Sequence, residues 1–359
     1  MQSTDSNGSD AATGSFQSAP SGTAGGITSD GGRDLYDVTI IGAGPTGLFG
    51  LFYAGMRTMK AKIIDALPEP GGQLTALYPE KYIYDAPGFP RILAKDLVKM
   101  LVEQAFQWDP AVCLGERVLT LRQAPEGHWV LGTDRGEHYS RTVVICAGVG
   151  AFAPNRLNAP GVPELEGTAV HYFVREKAAF AGKHILIVGG GDSAVDWALN
   201  LQDVARSITL IHRRDEFRAH ESSVNELRAS SARILTPYEV KQVVGSDGRI
   251  ERVTIFNNQT REEVDLAVDT VLVNIGFKAD IGPIREWGLE LEKNRAIVVN
   301  NRMETNLPGV YAAGDIAAEE VKMNLIATGY GQAAMAVNVA KHYIDPKASI
   351  FPGHSSEKM

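Results

Sequence analysis

The sequence has few cysteines, no long hydrophobic run and no excess of positive charge. Cys113 and Cys146 are the only cysteines among 359 residues, which excludes a disulfide framework and a CxxC redox pair. Both stand in apolar stretches, so we expect core side chains of a protein in the reducing cytoplasm. No run approaches the roughly 18 apolar residues of a membrane-spanning helix. A formal net charge of −8 excludes a general nucleic-acid binder.

Residues 1–34 also lack what a targeting segment needs. They are mostly Ser, Gly, Thr, Ala and Asp, without the basic start and apolar centre of a secretory signal. We therefore predict a disordered tail, because such a segment cannot bury enough apolar surface to offset its ordering entropy.

Metal and nucleophile motifs are absent as well. The eight histidines show no ligand spacing with the cysteines or with one another. No G-x-S-x-G elbow occurs. We expect no metal site, and we assign no catalytic acid, base or nucleophile.

Glycine, in contrast, is placed with a clear pattern, in two similar loops. Gly42-Ala43-Gly44-Pro45-Thr46-Gly47 and Gly189-Gly190-Gly191-Asp192-Ser193-Ala194 each follow an apolar strand-like run and open a helix-like one. Such a loop lets backbone N–H groups approach a pyrophosphate at the positive end of a helix. One loop is a weak signal, since glycine turns also arise for structural reasons. Two loops in matching contexts predict two bound dinucleotides. The candidate phosphate-binding residues are Gly42, Gly44, Pro45, Thr46, Gly47, Gly189, Gly191, Asp192, Ser193 and Ala194.

The residues that follow each loop differ in charge. Asp65 ends the next strand about 20 residues after the first loop, where a carboxylate accepts hydrogen bonds from a ribose diol. The same position after the second loop is basic, with His212, Arg213, Arg214 and Arg218. Guanidinium groups bind a 2′-phosphate that a carboxylate would repel. We predict NADP(H) at the second loop and FAD at the first, against the alternatives of a solvated Asp and a solvated basic patch.

The repeated strand–loop–helix–strand order predicts an α/β fold with two Rossmann-like, three-layer nucleotide-binding domains. Pro- and Gly-rich linkers between the repeats, and strands that return late in the chain, indicate that one domain is inserted into the other. We expect an FAD-binding domain at 35–153 and 281–359, and an NADPH-binding domain at 154–280. Asp315, after the late strand 308–313, suits a contact with the FAD ribityl or pyrophosphate group.

The second loop with the run 212–219 resembles the NADPH motif of low-molecular-weight thioredoxin reductases, in the pyridine-nucleotide disulfide oxidoreductase superfamily. Those enzymes carry a CxxC just before this loop, whereas 172–177 here contains no cysteine, which excludes their disulfide chemistry. The segments 71–81, 83–85 and 351–356 instead resemble thioredoxin-reductase-like ferredoxin–NADP reductases.

This resemblance implies site residues that the pattern alone does not select. Tyr78 would stack on one face of the isoalloxazine, and His354, or failing that Phe351, would cover the other. The resemblance also implies a homodimer in which the C-terminal segment reaches the partner's flavin. The implied FAD contacts are Asp65, Gln73, Tyr78, Val118, Phe152, Asp315 and Ser356.

The function expected from these features is that of an FAD-dependent ferredoxin–NADP(+) reductase. NADPH would pass a hydride to the flavin, which would pass single electrons to ferredoxin or flavodoxin. Two alternatives remain at this stage. One is a general NADPH-dependent flavin reductase or oxidase acting on oxygen, quinones or ferric complexes, and the other is a redox sensor that binds both nucleotides.

Overall fold

A computed structural model describes residues 29–30, 33–321 and 323–353. A parallel sheet forms the first unit of the fold, and the β-branched residues of its strands are buried except at the edge strand, where Val112 is exposed. Two antiparallel strands, Val118–Gln123 and Trp129–Thr133, extend from its edge. The parallel strands, in spatial order, are Ala111–Leu114, Ala61–Asp65, Arg33–Ile41, Glu137–Ile145 and Val310–Ala312.

Helices cover one face of this sheet. Pro45–Met56 packs between Ala94–Ala105 and the long C-terminal helix Ile326–Ile344. The first helix starts at Pro45, because proline fixes φ at a value suited to the first helical turn. It ends before Thr58, whose φ of 52° lies in the left-handed region.

A second parallel sheet forms the second unit. The helices Asp192–Asn200 and Glu221–Ala229 lie on one face, and an antiparallel sheet of three strands lies on the other. The parallel strands, in spatial order, are Val170–His171, Thr270–Asn274, His184–Gly189, Ser207–Ile211 and Arg233–Leu235. The antiparallel strands are Tyr238–Ser246, Arg249–Asn257 and Glu263–Leu266. Two three-layer α/β units in one chain confirm the predicted fold class.

A two-stranded ribbon connects the units. Ala151–Pro154 pairs antiparallel with Phe277–Asp280, and the rings of Phe173 and Phe277 stack with centroids 5.6 Å apart. After the ribbon, the chain returns to the first sheet. The predicted domain boundaries, after 153 and after 280, stay a prediction.

The remaining elements are short. The helical segments are Gln73–Leu77, Val162–Leu165, Lys177–Phe180, Gly282–Glu286 and Gly314–Ile316. The strands are Tyr82–Ile83, Ile92–Leu93, Leu291–Glu292, Ala296–Val298 and Ala317–Ala318. None of the helices in the described part of the chain is long and apolar enough to cross a membrane.

One boundary differs from the prediction. Ser29–Asp30 pairs antiparallel with Arg33–Asp34, so regular structure begins inside the segment that we assigned to the tail. The Asp34 carboxylate contacts the Lys60 ammonium, which ties this hairpin to the sheet. The composition of the segment does not reveal this pairing, because backbone hydrogen bonds between strands do not require apolar side chains. Residues 1–28 lie outside the described part of the chain.

Candidate functional site

The three glycines of the first loop have different structural roles. Gly42 has a φ of 106°, and a Cβ there would lie 2.3 Å from the Cys146 carbonyl oxygen. A Cβ on Gly47 would lie 1.8 Å from the Gly42 carbonyl oxygen, so this glycine lets the helix pack against the loop. No atom lies within 4 Å of the Cβ position of Gly44. The face of the loop at Gly44 is therefore open to a ligand, as the motif predicts.

Asp65 holds the first loop in place. Its Oδ2 accepts a hydrogen bond from the Ala43 N–H, and its Oδ1 accepts one from the Leu67 N–H at 2.7 Å. Burial raises the pKa of Asp65, against the effect of these two hydrogen bonds. Each carboxylate oxygen has a second lone pair. A contact with a ribose diol, as predicted, would use these remaining lone pairs.

A cavity of about 1270 Å³ lies between the two units. It is larger than a typical drug-sized pocket of roughly 300–1,000 Å³, which suits an extended dinucleotide. The structure brings most predicted first-unit residues together there, while Gly47 packs beneath the loop. The predicted residues that line the cavity are Gly42, Gly44, Pro45, Thr46, Asp65, Gln73, Tyr78, Val118, Asp192 and Asp315.

Tyr78 lies partly buried at the cavity wall and contacts the apolar cores of both units. Burial, with the negative charges of Asp315 and Asp85, raises its pKa to about 12. The phenol is therefore neutral at physiological pH, and the ring offers an apolar face to a flat ligand.

Asp315 sits in a turn that the fold holds by close contacts. Gly314 has a φ of 78° and its N–H donates to Gln332 Oε1 at 2.8 Å. A Cβ on Gly314 would lie 2.8 Å from Thr46 Oγ1, so the turn packs directly against the first loop. Gln332 lies on the C-terminal helix and was not among the predicted site residues. Only the tertiary fold brings it to this turn.

The second loop repeats this geometry at the end of the second sheet. Gly189 has a φ of 155°, and a Cβ there would lie 2.3 Å from the Asn274 carbonyl oxygen. No atom lies within 4 Å of the Cβ position of Gly191, whereas Ala194 is fully buried under the loop. Asp192 and Ser193 are exposed in the first turn of the helix.

His212 supports this loop. Its ring atoms lie 2.3–2.4 Å from where a Cβ on Gly190 would be, and its ring lies 5.5 Å from that of Phe217. Its buried Nε2 has no hydrogen-bond partner among the described residues. Burial, with the charges of the neighbouring arginines, lowers the pKa of His212. The ring is thus a neutral packing element, and its predicted contact with the 2′-phosphate stays a prediction.

The three arginines stand exposed beside the second loop. The backbone N–H of Arg218 donates to the Gly190 carbonyl oxygen at 2.7 Å, which brings the basic segment to the loop. Neither Arg213, Arg214 nor Arg218 forms an ion pair with a carboxylate of the described chain. Their donors are available to an anion, as 2′-phosphate recognition requires.

Three predicted residues lie where their contacts are not described. His354 and Ser356 lie outside the described residues. Phe152 belongs to the ribbon through its backbone, and its side chain also lies outside the described part.

Sequence reasoning missed a polar network on the first sheet. The Lys62 ammonium donates to His138 Nδ1 at 2.8 Å, and His138 Nε2 lies 2.7 Å from Glu116 Oε1. Side-chain ligand atoms of Cys113, Glu116 and His138 lie within 4.8 Å of one another. His138 and Cys113 are thus neighbours in space, although their spacing in the sequence matches no metal-binding motif. Because Lys62 already brings an ammonium group to the imidazole, we interpret the cluster as a hydrogen-bond network at the cavity wall, which Glu116 lines.

Comparison with known proteins agrees with this geometry. The model of the pyridine nucleotide-disulphide oxidoreductase family matches residues 36–340. A curated relative from Shouchella clausii named ferredoxin–NADP reductase 2 is 53% identical over 324 residues, 90% of this chain and 98% of its own. The ferredoxin–NADP reductase of Symbiobacterium thermophilum is 54% identical over 331 residues, 91% of this chain and 98% of its own.

Solved structures show the same fold. Thioredoxin reductase from Lactococcus lactis, in its FR conformation, superposes with a TM-score of 0.73 at 26% identity, covering 86% of this chain and 99% of its own. Thioredoxin reductase from T. acidophilum superposes with a TM-score of 0.74 at 24% identity, covering 87% and 99%. This chain therefore belongs to the pyridine nucleotide-disulphide oxidoreductase family and, within it, to the ferredoxin–NADP reductases.

Proposed function

We propose that this chain is an FAD-dependent ferredoxin–NADP(+) reductase, which exchanges electrons between NADP(H) and ferredoxin. The observation that carries the proposal is a pair of open glycine loops, of which one lines the cavity and the other reaches it through Asp192. Relatives that are 50–54% identical bear the same name. Bound FAD supplies the exchange between two-electron hydride chemistry and one-electron transfer.

The first unit fits FAD. Gly44 leaves room for a pyrophosphate, and the N-terminus of the helix Pro45–Met56 points its free N–H groups at that place. Asp65, Val118 and Tyr78 line the same cavity as this loop. We assign FAD to the domain 35–153 with 281–359. Its contacts remain those that the sequence predicted.

The second unit fits NADP(H), and we assign this nucleotide to the domain 154–280. The pyrophosphate would bind at Gly191, at the start of the helix Asp192–Asn200. Arg213 and Arg214 would bind the 2′-phosphate at the outer end of the nucleotide. The opposite end then passes Asp192, which lines the cavity shared with the first unit.

Tyr78 would orient the flavin ring and exclude water from one face. A neutral phenol, rather than a phenolate, suits this role because a charge beside the ring would attract water. No side chain needs to act as general acid or base, since hydride transfer depends on near-contact geometry of the two rings.

A homodimer is the assembly we propose. Tyr84, Met323 and Leu325 are 68%, 61% and 43% exposed. Tyr84 and Leu325 line the cavity, and the Asp85 carboxylate accepts a hydrogen bond from the Ile326 N–H at 2.8 Å, which joins the segments that carry them. Such an exposed group is typical of a surface that a partner covers. The guanidinium of Arg57 donates to the carbonyl oxygen of Ser349 at 2.8 Å. This anchors the start of the C-terminal segment that would reach the partner's flavin.

Ferredoxin is the electron-transfer partner, with flavodoxin as the alternative carrier. The cytoplasm is the compartment we propose, because both cysteines are free thiols.

A steady-state assay tests the function against the general flavin reductase. We expect NADPH-dependent reduction of cytochrome c to be slow without ferredoxin and to rise at least tenfold when ferredoxin is added. Equal rates with and without ferredoxin, together with efficient reduction of quinones or oxygen, would instead favour the general reductase. NADPH binding with no electron transfer at all would favour the sensor.

A further inference from the structure

An ion pair joins the two units next to Tyr78. Lys81 Nζ lies 2.6 Å from Asp196 Oδ2, and the two side chains are only 27% and 23% exposed. Among the described residues it is the one ion pair between the units apart from that of Arg285 with Asp280, which lies at the ribbon. Both residues line the cavity. A pair shielded in this way is screened by salt far less than a surface pair.

Lys81 is held by the same turn that holds Tyr78. Its N–H donates to the Tyr78 carbonyl oxygen at 3.0 Å, and its own carbonyl oxygen accepts from the Ala94 N–H at 2.9 Å. Its ammonium lies 5.7 Å from the centroid of the Tyr78 ring. A displacement of Lys81 would therefore also displace Tyr78.

Asp196 belongs to the helix that begins at the second glycine loop. Helices are stiff over one or two turns, so a force on Asp196 is transmitted to the loop at its N-terminus. Asp192, in the first turn, lines the same cavity. The ion pair thus links the wall beside Tyr78 to the loop that would hold NADP(H). Apart from such contacts, the covalent connection between the units is the two-stranded ribbon, which leaves their separation free to vary.

We infer that Lys81 and Asp196 are positioning residues for hydride transfer. Their ion pair sets the distance of the second glycine loop from the flavin cavity, so that the nicotinamide end of the nucleotide meets the Tyr78-lined site in contact geometry. Hydride transfer needs reacting atoms at about 3–3.5 Å, and a misplacement of 1 Å can cost about 100-fold in rate. This inference rests on the proposed function.

The test compares charge removal with charge reversal. Lys81→Met and Asp196→Asn each remove one partner, and Lys81→Glu with Asp196→Lys restores a pair of opposite sign. Lys95→Met is the matched control, because Lys95 pairs with Glu80 at 2.9 Å in the same turn but stays within the first unit. Each holoprotein is assayed for flavin reduction by anaerobic stopped flow and for NADP+ affinity by titration. Small-angle X-ray scattering reports the separation of the units.

We expect both single variants to reduce their flavin roughly 10- to 100-fold more slowly, with unchanged NADP+ affinity and FAD content. Their scattering should shift to longer interdomain distances. The reversed pair should recover most of the rate and the original scattering curve, and Lys95→Met should match the parent in all three readouts.

Single variants with unchanged or faster flavin reduction, or a reversed pair that rescues neither rate nor scattering, would overturn the inference. If the parent protein itself were not reduced by NADPH, the proposed function would fail instead. The scattering curves would then still decide whether the ion pair fixes the separation of the units.

Discussion

The two glycine loops differ in the side chains that surround one shared backbone geometry. Gly44 and Gly191 are both open, and Gly42 and Gly189 both have left-handed φ values that a side chain would strain. Beneath the loops the two sites diverge. Gly47 admits no Cβ, whereas the second loop carries a buried Ala194 at the matching position.

The larger difference concerns the side chains that would contact the ribose of each nucleotide. The Asp65 carboxylate supports the first loop, because it accepts a hydrogen bond from the Ala43 N–H. The second is braced by the neutral ring of His212, next to guanidinium groups that form no ion pair within the described part of the chain. A phosphate-binding backbone can therefore be used twice in one chain, while a few charged residues beside it select the nucleotide. Substitutions in and beside the two loops test this difference.

The largest effect is expected from removing the charges at the second loop. Arg213→Ala with Arg214→Ala should raise KM for NADPH while leaving KM for NADH nearly unchanged. Each lost charged hydrogen bond costs about 1.5–3 kcal/mol, which is roughly 10- to 150-fold in affinity. Steady-state kinetics with both nucleotides measures the change, and Arg228→Ala, on the nearby helix, is the control. Equal losses for NADPH and NADH would contradict 2′-phosphate recognition.

A smaller effect is expected from crowding the first loop. Gly47→Ala places a methyl group against the Gly42 carbonyl oxygen, and the helix must shift to relieve the overlap. Overpacking of this kind costs about 1–3 kcal/mol, so FAD affinity should fall roughly 5- to 150-fold. Titration of the apoprotein with FAD gives the affinity. Gly331→Ala, at a helical glycine with no atom within 4 Å, should leave it unchanged. If the Gly47→Ala protein still bound FAD as tightly as the parent, position 47 would tolerate a Cβ as position 194 does, which would contradict this difference between the loops.

The smallest effect is expected at Tyr78. Because its pKa is raised to about 12, its stabilising neutral form is present through neutral pH and is lost only as the pH rises through that value. Tyr78→Phe should therefore show the same pH profile of flavin reduction as the parent between about pH 7 and 10. A step in the parent profile that disappears in Tyr78→Phe would show that the phenol ionises in this range.

The sequence predicted the parts of the site that rest on local geometry. Glycine loops between a strand and a helix carry their own signal, as does Asp65 at the end of the next strand. The first loop and Asp65 line one cavity, which the second loop reaches through Asp192. The contact of Lys81 with Asp196 carries no such signal, because it depends on how two separately folded units meet. The pairing of Lys62 with His138 depends on the order of strands in the sheet. His212 shows a third limit, since only the tertiary fold reveals that its ring packs under the loop.

We expect NADPH and FAD to exchange electrons at one shared cavity. The most direct test is anaerobic stopped-flow mixing of the FAD-loaded protein with NADPH, followed by oxidised ferredoxin. We predict rapid bleaching of the flavin absorbance at a rate that saturates with NADPH, and rapid recovery when ferredoxin is added. A protein that binds both nucleotides but whose flavin never bleaches would contradict the account.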